Sequence, residues 1–289
     1  MAPETWTIQK ILKWTTDFFS EKQVEAPRLS AEILLSHCLD YPRIHLYTRH
    51  DQPLNPEELG RFRELVKRRA AREPVAYIVG NRDFWTLELD VNPSVLIPRP
   101  ETETLVETAL EVLNAAQAPM RVLDLGTGSG AIILALASEK PEHHYMAVDY
   151  SPQALETAKA NAQKHNLNVD FYKGSWFEAV RCLDRFDLVV SNPPYIPSRD
   201  IPGLMPEVAR YEPMSALDGG PQGMDHLALI IERAPEHLKP GGWLMLEMGF
   251  DQKELVEQVA LETQAYENVR FVRDLAGHFR TAVMQRPAP

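Results

Sequence analysis

Asn192-Pro193-Pro194-Tyr195 is the segment of this 289-residue chain whose residue types point most directly to chemistry. Two successive prolines fix the backbone and stiffen it. The Asn192 side-chain oxygen and the Pro193 carbonyl can then both accept from one NH2 group. Tyr195 can stack on the flat amide or base that carries it. Such a nitrogen is a poor nucleophile, because its lone pair is delocalised. A sulfonium methyl group is a strong electrophile, so methyl transfer to that nitrogen needs no metal. It needs the nitrogen held in line at near-attack distance. Acceptors aimed at the N–H bonds also stabilise the positive charge that grows on nitrogen in the transition state. No dedicated general base is required, since the methylated nitrogen is a very strong acid. The bland alternative is a proline-stiffened loop without chemistry.

A second segment supplies a ligand cradle. Val122-Leu123-Asp124-Leu125 reads as an apolar strand, and Gly126-Thr127-Gly128-Ser129-Gly130 follows it, leading straight into a helix. Three alternate glycines let a ligand approach the backbone closely. The amides then face a negative group at the helix N-terminus. Gly126, Gly128 and Ala131 also satisfy the dinucleotide fingerprint. Asp149 follows Gly128 by 21 residues, where an acid accepts from ribose hydroxyls. This pair alone leaves NAD and S-adenosylmethionine both open; the methyl chemistry suited to Asn192–Tyr195 selects the latter. Asp124 either orients the glycine loop or touches the cofactor. Trp176 either packs on an adenine ring or belongs to the core.

Alternating strands and helices are needed to bring these segments together. Strands are expected at 121–125, 145–148, 169–172, 186–190 and 243–247, with helices at 131–138, 151–165, 225–238 and 252–263 between or after them. Residues 269–272 and 280–284 close the set as an antiparallel pair. The pattern predicts an α/β fold with a mainly parallel sheet, whose strand ends carry both motifs. Residues 1–80 read instead as a small bundle of about four helices, with Asn55-Pro56-Glu57-Glu58 as a helix start. Between the two, Phe84–Val91 alternates as a strand, Asn92-Pro93-Ser94 reads as a turn and Val95–Ile97 as a return strand. Glu101-Thr102-Glu103 begins a helix with acids in its first turn.

Composition narrows the function. Hydrophobic residues make up 44% of the chain, enough for a sizeable core. No apolar run is long enough for a membrane span. The first five residues, Met1 to Thr5, show no targeting signal. Cys38 and Cys182, with no CxxC and no His pair at metal spacing, argue against disulfides and zinc and fit a reducing cytoplasm. Residues 1–80 hold 12 Lys+Arg against 11 Asp+Glu, which leaves 18 against 30 over residues 81–289. So acidic a segment disfavours unaided binding to nucleic acid. The basic cluster Arg61, Arg63, Lys67, Arg68, Arg69 and Arg72 reads as a solvated helix face or as a contact for an acidic or ribosomal partner.

Together these segments resemble the class I methyltransferase fold and, within it, the PrmC/HemK family. The resemblance covers nearly the whole chain. It includes the helical N-terminal region, the hairpin, Leu96-Ile97-Pro98-Arg99-Pro100-Glu101-Thr102-Glu103, Asp124–Gly130, Asn192–Tyr195 and Leu217-Asp218-Gly219-Gly220. Asn-Pro-Pro-Tyr is shared with adenine and cytosine amino-methyltransferases. The Pro98–Glu103 segment is more specific, and related ribosomal-protein glutamine methyltransferases differ after Pro-Arg. The resemblance implies a Rossmann-like, seven-stranded, mainly parallel sheet over residues 99–289. It also implies a substrate-docking helical domain over 1–80 and a hairpin linker over 81–98. Its implied activity is methylation, from S-adenosyl-L-methionine, of the glutamine amide in the GGQ motif of class 1 peptide chain release factors. No direct nucleic-acid binding, membrane or metal is expected. Gly126, Thr127, Gly128, Ser129 and Gly130 would hold the cofactor's methionine end, Asp149 its ribose and Trp176 its adenine region. Asn192, Pro193, Pro194 and Tyr195 would form the glutamine pocket, with Asn192, Pro193 and Tyr195 catalytic and Asn192 also beside the cofactor. Arg99, Glu101 and Glu103 would help close the cofactor site.

Overall fold

A computed structural model describes residues 5–180 and 185–288; the first four residues and Cys182 lie outside that range. The chain divides into two compact units, one of Met1–Gly80 with Met205–Tyr211, the other of Asn81–Leu204 with Glu212–Pro289. The first unit holds helices α1 (Ile8–Glu21), α2 (Pro27–Leu39), α3 (Arg43–Thr48), α4 (Pro56–Ala70) and α5 (Val75–Val79). Asn55 and Glu58 form a reciprocal cap at the start of α4: Glu58 N donates to Asn55 Oδ1 at 2.9 Å, and Asn55 N to Glu58 Oε2 at 2.8 Å. The unit's core is Ile8, Leu12, Phe19, Leu34, Leu35, Leu46 and Phe62, all buried. Trp6, Phe18, Phe19 and Phe62 join or border that core; Trp14 is exposed but stacks on Phe18. Cys38 is a buried free thiol.

The second unit begins with the hairpin β1 (Asn81–Phe84) and β2 (Leu87–Asp90). It continues through α6 (Glu103–Ala115), β3 (Arg121–Leu125), α7 (Ala131–Glu139), β4 (His144–Asp149), α8 (Pro152–Lys164), β5 (Asp170–Lys173) and β6 (Phe186–Ser191). Helix α9 (Pro206–Tyr211) groups with the helical unit, and α10 (Asp225–Arg233), β7 (Leu238–Glu247), α11 (Lys253–Glu262), β8 (Glu267–Arg273) and β9 (Phe279–Gln285) complete the chain. Seven strands form one sheet in the order β5-β4-β3-β6-β7-β9-β8. The first five in that order run parallel, while β9 is antiparallel to both β7 and β8. Strand residues alternate between two cores, as a sheet covered on both faces requires. Val122 packs with Leu105, Val106 and Ile133; Leu123 and Leu125 pack with Leu227, Ile230 and Val256. The order reverses between β3 and β6, and this switch point opens a crevice at the strands' carboxyl ends. No helix among the described residues is long and apolar enough to cross a membrane.

Three local expectations change. The hairpin turns at Trp85-Thr86, with Phe84 opposite Leu87 and Asn81 opposite Asp90. The polar residues Asn81-Arg82-Asp83 lack the alternation that announces a strand. Asn92 does make a turn, since its Oδ1 accepts from Ser94 N at 2.9 Å, but Val95–Ile97 form no strand. Ile97 N donates instead to Glu212 Oε2 at 3.2 Å. Helix α10 stops at Arg233, before Pro235, and Leu238 already begins β7. The basic cluster also divides. Arg61, Arg63, Lys67 and Arg68 are exposed, as on a solvated face. Arg69 is buried, and it and Arg72 donate to Glu207 of α9 at 2.9 and 2.7 Å.

Candidate active site

Four neighbouring parallel strands end on one cavity of about 280 Å³. Residues Gly126 to Ser129 follow β3, Asp149 ends β4, Gly174-Ser175-Trp176 follow β5 and Asn192 follows β6; all line it. Val95, Pro98, Arg99 and Thr102 line it from the segment before α6, and Ser215, Ala216, Asp218 and His226 from the segment after α9. Every lining residue belongs to the sheet-containing unit.

The glycine loop is folded by its own backbone. Gly126 N and Thr127 N both donate to Val148 O, at 2.8 and 3.1 Å. Gly126, Gly128 and Gly130 take φ of 72°, 57° and 86°, a region that costs a side-chain-bearing residue strain. A Cβ on Gly126 would also stand 3.3 Å from the Trp176 ring, so the missing side chain is what lets the indole lie on the loop. Trp176 both lines the cavity and borders the core. Its ring sits 5.2 Å from that of His226.

Two acids hold the loop from different sides. Asp149 accepts from Gly128 N and Ser151 N, both at 2.8 Å. Burial raises its pKa despite those bonds. Asp124 is buried, does not line the cavity and accepts from Thr127 Oγ1 at 2.7 Å. It therefore steadies the loop from beneath. Burial above all, with a contribution from the charge of Asp149, pushes its pKa up to about 7.

Asn192 stands next to the loop because β6 pairs with β3, Ser191 opposite Leu125. Ser191 Oγ, fully buried, donates to Leu125 O at 2.6 Å and ties the two strand ends. Asn192 Nδ2 donates to Thr102 Oγ1 at 3.3 Å, and among the described residues its Oδ1 accepts no hydrogen bond. Pro194 lines the cavity; Pro193, Tyr195 and Gly130 do not. Tyr195 is half-buried, and its hydroxyl points inward to Glu247 Oε1 at 3.0 Å. Burial, then the charge of Glu247, raises the Tyr195 pKa.

The Leu217–Gly220 segment explains how this loop keeps its course. Ile196 N donates to Leu217 O at 3.0 Å, Gly219 N to Ile196 O at 2.9 Å, and Ser198 N to Gly220 O at 2.9 Å. A Cβ on Gly219 would meet Pro194 O and Tyr195 Cα at 2.8 Å, so only glycine lets the two segments lie this close. Gln252 Nε2 donates to both Tyr195 O, at 2.9 Å, and Gly223 O, at 3.1 Å.

Several supporting residues escape a reading of motifs. Glu212 bonds both Ile97 N and the Arg99 guanidinium, fixing the segment that brings Arg99 to the cavity. Asn161, fully buried on α8, donates to Ser129 O at 2.9 Å and accepts from Asp90 N at 2.7 Å. Glu103 accepts from Trp85 N at 3.1 Å, and neither it nor Glu101 lines the cavity. The sequence does carry a signal for Asn161, an amide amid alanines, and for Glu247, the partner of Tyr195, an acid closing the apolar run Leu244-Met245-Leu246.

The PrmC N-terminal domain family matches residues 10–80, and a methyltransferase domain family matches residues 116–284. The release factor glutamine methyltransferase of Geobacter sulfurreducens is 51% identical over 254 residues, spanning 88% of each chain. That of Aliivibrio fischeri is 45% identical over 281 residues, 96% of this chain and 97% of its own. The chain belongs to this family. It is a methyltransferase, and the matches span most of its length. The counterpart from Vibrio cholerae agrees, at 43% identity over 96% of each chain. Among solved structures, a methyltransferase from Pyrococcus furiosus aligns with a TM-score of 0.51 at 20% identity, over 70% of this chain and 90% of its own. The hMettl16 catalytic domain aligns at 0.57 and 15%, over 78% and 82%. At such identities these two show the shared Rossmann-like fold alone.

Proposed function

We propose that this enzyme methylates the side-chain amide nitrogen of the glutamine in the GGQ motif of class 1 peptide chain release factors, with S-adenosyl-L-methionine as donor. The observation that carries the reading is Asn192, whose Oδ1 has no partner among the described residues, at the cavity that also holds the glycine loop and Asp149. The substrate follows from relatives 43–51% identical that are named release factor glutamine methyltransferases.

The cavity's residues fit the donor. A carboxylate has about four acceptor sites, and Asp149 uses two on backbone amides, which leaves capacity for ribose hydroxyls. A Cβ on Gly128 would have nothing within 4 Å, so a ligand's anionic end can reach the backbone there. Trp176 offers a flat apolar face for an adenine. When bound, the cofactor supplies an electrophilic methyl group. Asn192 Oδ1 accepts from one N–H of the target amide, and the Pro193 carbonyl accepts from the other. These acceptors orient the nitrogen and stabilise the positive charge growing on it. The surplus proton on the methylated nitrogen is acidic enough to pass to water. Residues 1–80 serve as the docking domain for the protein substrate, 81–98 as linker and 99–289 as the catalytic domain. A cytoplasmic location fits such a substrate.

The test is incubation of the purified enzyme with a release factor and methyl-labelled S-adenosylmethionine. Label is expected on the factor and is expected to vanish when the GGQ glutamine is replaced by alanine. Label that survives that replacement overturns the assignment.

A further inference from the structure

Glu247 is a buried acid that the proposed reaction leaves without a task. It ends β7, one residue beyond Leu246, which lies opposite Ser191 of β6. Its carboxylate is thus one strand away from Asn192, and it is 1% exposed. Oε1 accepts from the Tyr195 hydroxyl at 3.0 Å. Oε2 has no hydrogen-bond partner among the described residues, and the Thr102 hydroxyl, also buried, stands near enough to lower the carboxyl's pKa. Thr102 Oγ1 is also the atom that meets Asn192 Nδ2 at 3.3 Å. Glu247 therefore bonds the Tyr195 end of the Asn192–Tyr195 segment directly, and the Thr102 hydroxyl that meets Asn192 lies beside its carboxyl.

We propose that Glu247 is a positioning residue that sets the direction of the hydrogen bonds reaching Asn192, so that Asn192 presents its oxygen and not its NH2 to the target amide. The inference rests on the methyl transfer proposed above. A hydroxyl can donate or accept, and an amide can turn either end to it. An ionised carboxylate can only accept. Facing Glu247, the Thr102 hydroxyl gives its hydrogen to the carboxylate, and its oxygen is then left to accept. Asn192 must turn its NH2 toward Thr102, and its Oδ1 is left for the substrate. A glutamine at 247 breaks this order. Its NH2 can donate to Thr102, which frees the Thr102 hydrogen to hold Asn192 Oδ1 and turns the amide over.

The surroundings of Glu247 are mixed in charge. Burial raises its pKa, Glu101 adds to that, and Thr102, Tyr195 and the Arg280 guanidinium on β9 oppose it. Arg280 itself bonds Asp274 Oδ2 at 3.2 Å. Protonation of Glu247 turns it into a donor and undoes the order, so turnover falls as pH drops through its ionisation.

The test uses full-length Glu247→Gln, Thr102→Val and Thr102→Ser. For each, kcat and KM on a GGQ release factor, affinity for S-adenosylhomocysteine, thermal midpoint and the pH profile of kcat are measured. Glu247→Gln and Thr102→Val are expected to lose about 10- to 100-fold in kcat with cofactor affinity little changed. Thr102→Ser keeps wild-type kcat. Glu247→Gln keeps or raises the thermal midpoint, since it removes a buried charge, and it lacks the acid limb of the wild-type profile. Wild-type kcat in Glu247→Gln, on a release factor that the wild-type enzyme methylates, overturns the positioning role alone. So does a loss of kcat that only follows losses of stability and cofactor affinity. A wild-type enzyme that labels no release factor overturns the reaction, and this inference with it.

Discussion

Asp124→Asn separates what holds the glycine loop from what stabilises the fold. The Asp124 carboxyl is buried under the loop, and its pKa stands at about 7 against an ordinary 3.8. A carboxyl whose folded-state pKa is raised binds its proton more tightly folded than unfolded. Its stabilisation is complete below about pH 3.8 and is lost as pH rises to about 7. At 1.36 kcal/mol per pKa unit, that loss is about 4 kcal/mol. Asparagine cannot ionise and so escapes it. Against this stands the amide's poorer fit beside the Thr127 hydroxyl, about 1–2 kcal/mol at every pH, since the raised pKa already contains that hydroxyl's help to the carboxylate. The variant is therefore expected to be about 1–2 kcal/mol less stable than wild type near pH 4 and about 2–3 kcal/mol more stable at pH 8. Asp149 is present in both proteins, so its own pH dependence largely cancels in the difference. Denaturant unfolding of the full-length proteins at several pH values measures this through the midpoint at constant slope. Parallel stability–pH curves for the two proteins would show that Asp124 is not buried with a raised pKa, and the argument would fail.

Three further outcomes follow from the same geometry. Gly219→Ala places a Cβ 2.8 Å from Pro194 O and Tyr195 Cα, so it should cost about 1–3 kcal/mol of stability and lower kcat by displacing Asn192, both checked on one preparation. Asn192→Ala removes the acceptor proposed to face the transition state; kcat should fall far more than affinity for S-adenosylhomocysteine, and equal losses would contradict the role. Asp149→Ala leaves Gly128 N and Ser151 N without their acceptor as well as removing the ribose partner, so calorimetry should show weaker cofactor binding; unchanged affinity would exclude Asp149 from the ribose site.

Much of this molecule is written locally in its sequence. Strand and helix periods placed β3 to β6 and their helices, because burial on a sheet covered on both faces demands apolar runs of that length. Alternate glycines announce a turn whose backbone a ligand can approach, and Asn-Pro-Pro-Tyr a stiff pair of acceptors, because these properties belong to the residues themselves. Where local signals were weak, the expectation slipped. The polar β1 carried no alternation, so the hairpin turn was placed at Asn92 when it lies at Trp85-Thr86. Arg69 looked like one more solvated cation, and no local signal shows that it is buried against Glu207, 138 residues away.

Residue types and their periods alone pick out the candidate segments and the strands that carry them. Which way those segments face, and what holds them, is settled by contacts distant in the chain. Tyr195 turns its hydroxyl inward to Glu247, Asn192 gives its NH2 to Thr102, and Gly219 admits the backbone of Pro194. Each of these is a contact between residues 25 to 90 positions apart in the chain. A hydrogen bond or a close approach of that kind is fixed by packing in three dimensions and leaves no period or motif in the sequence.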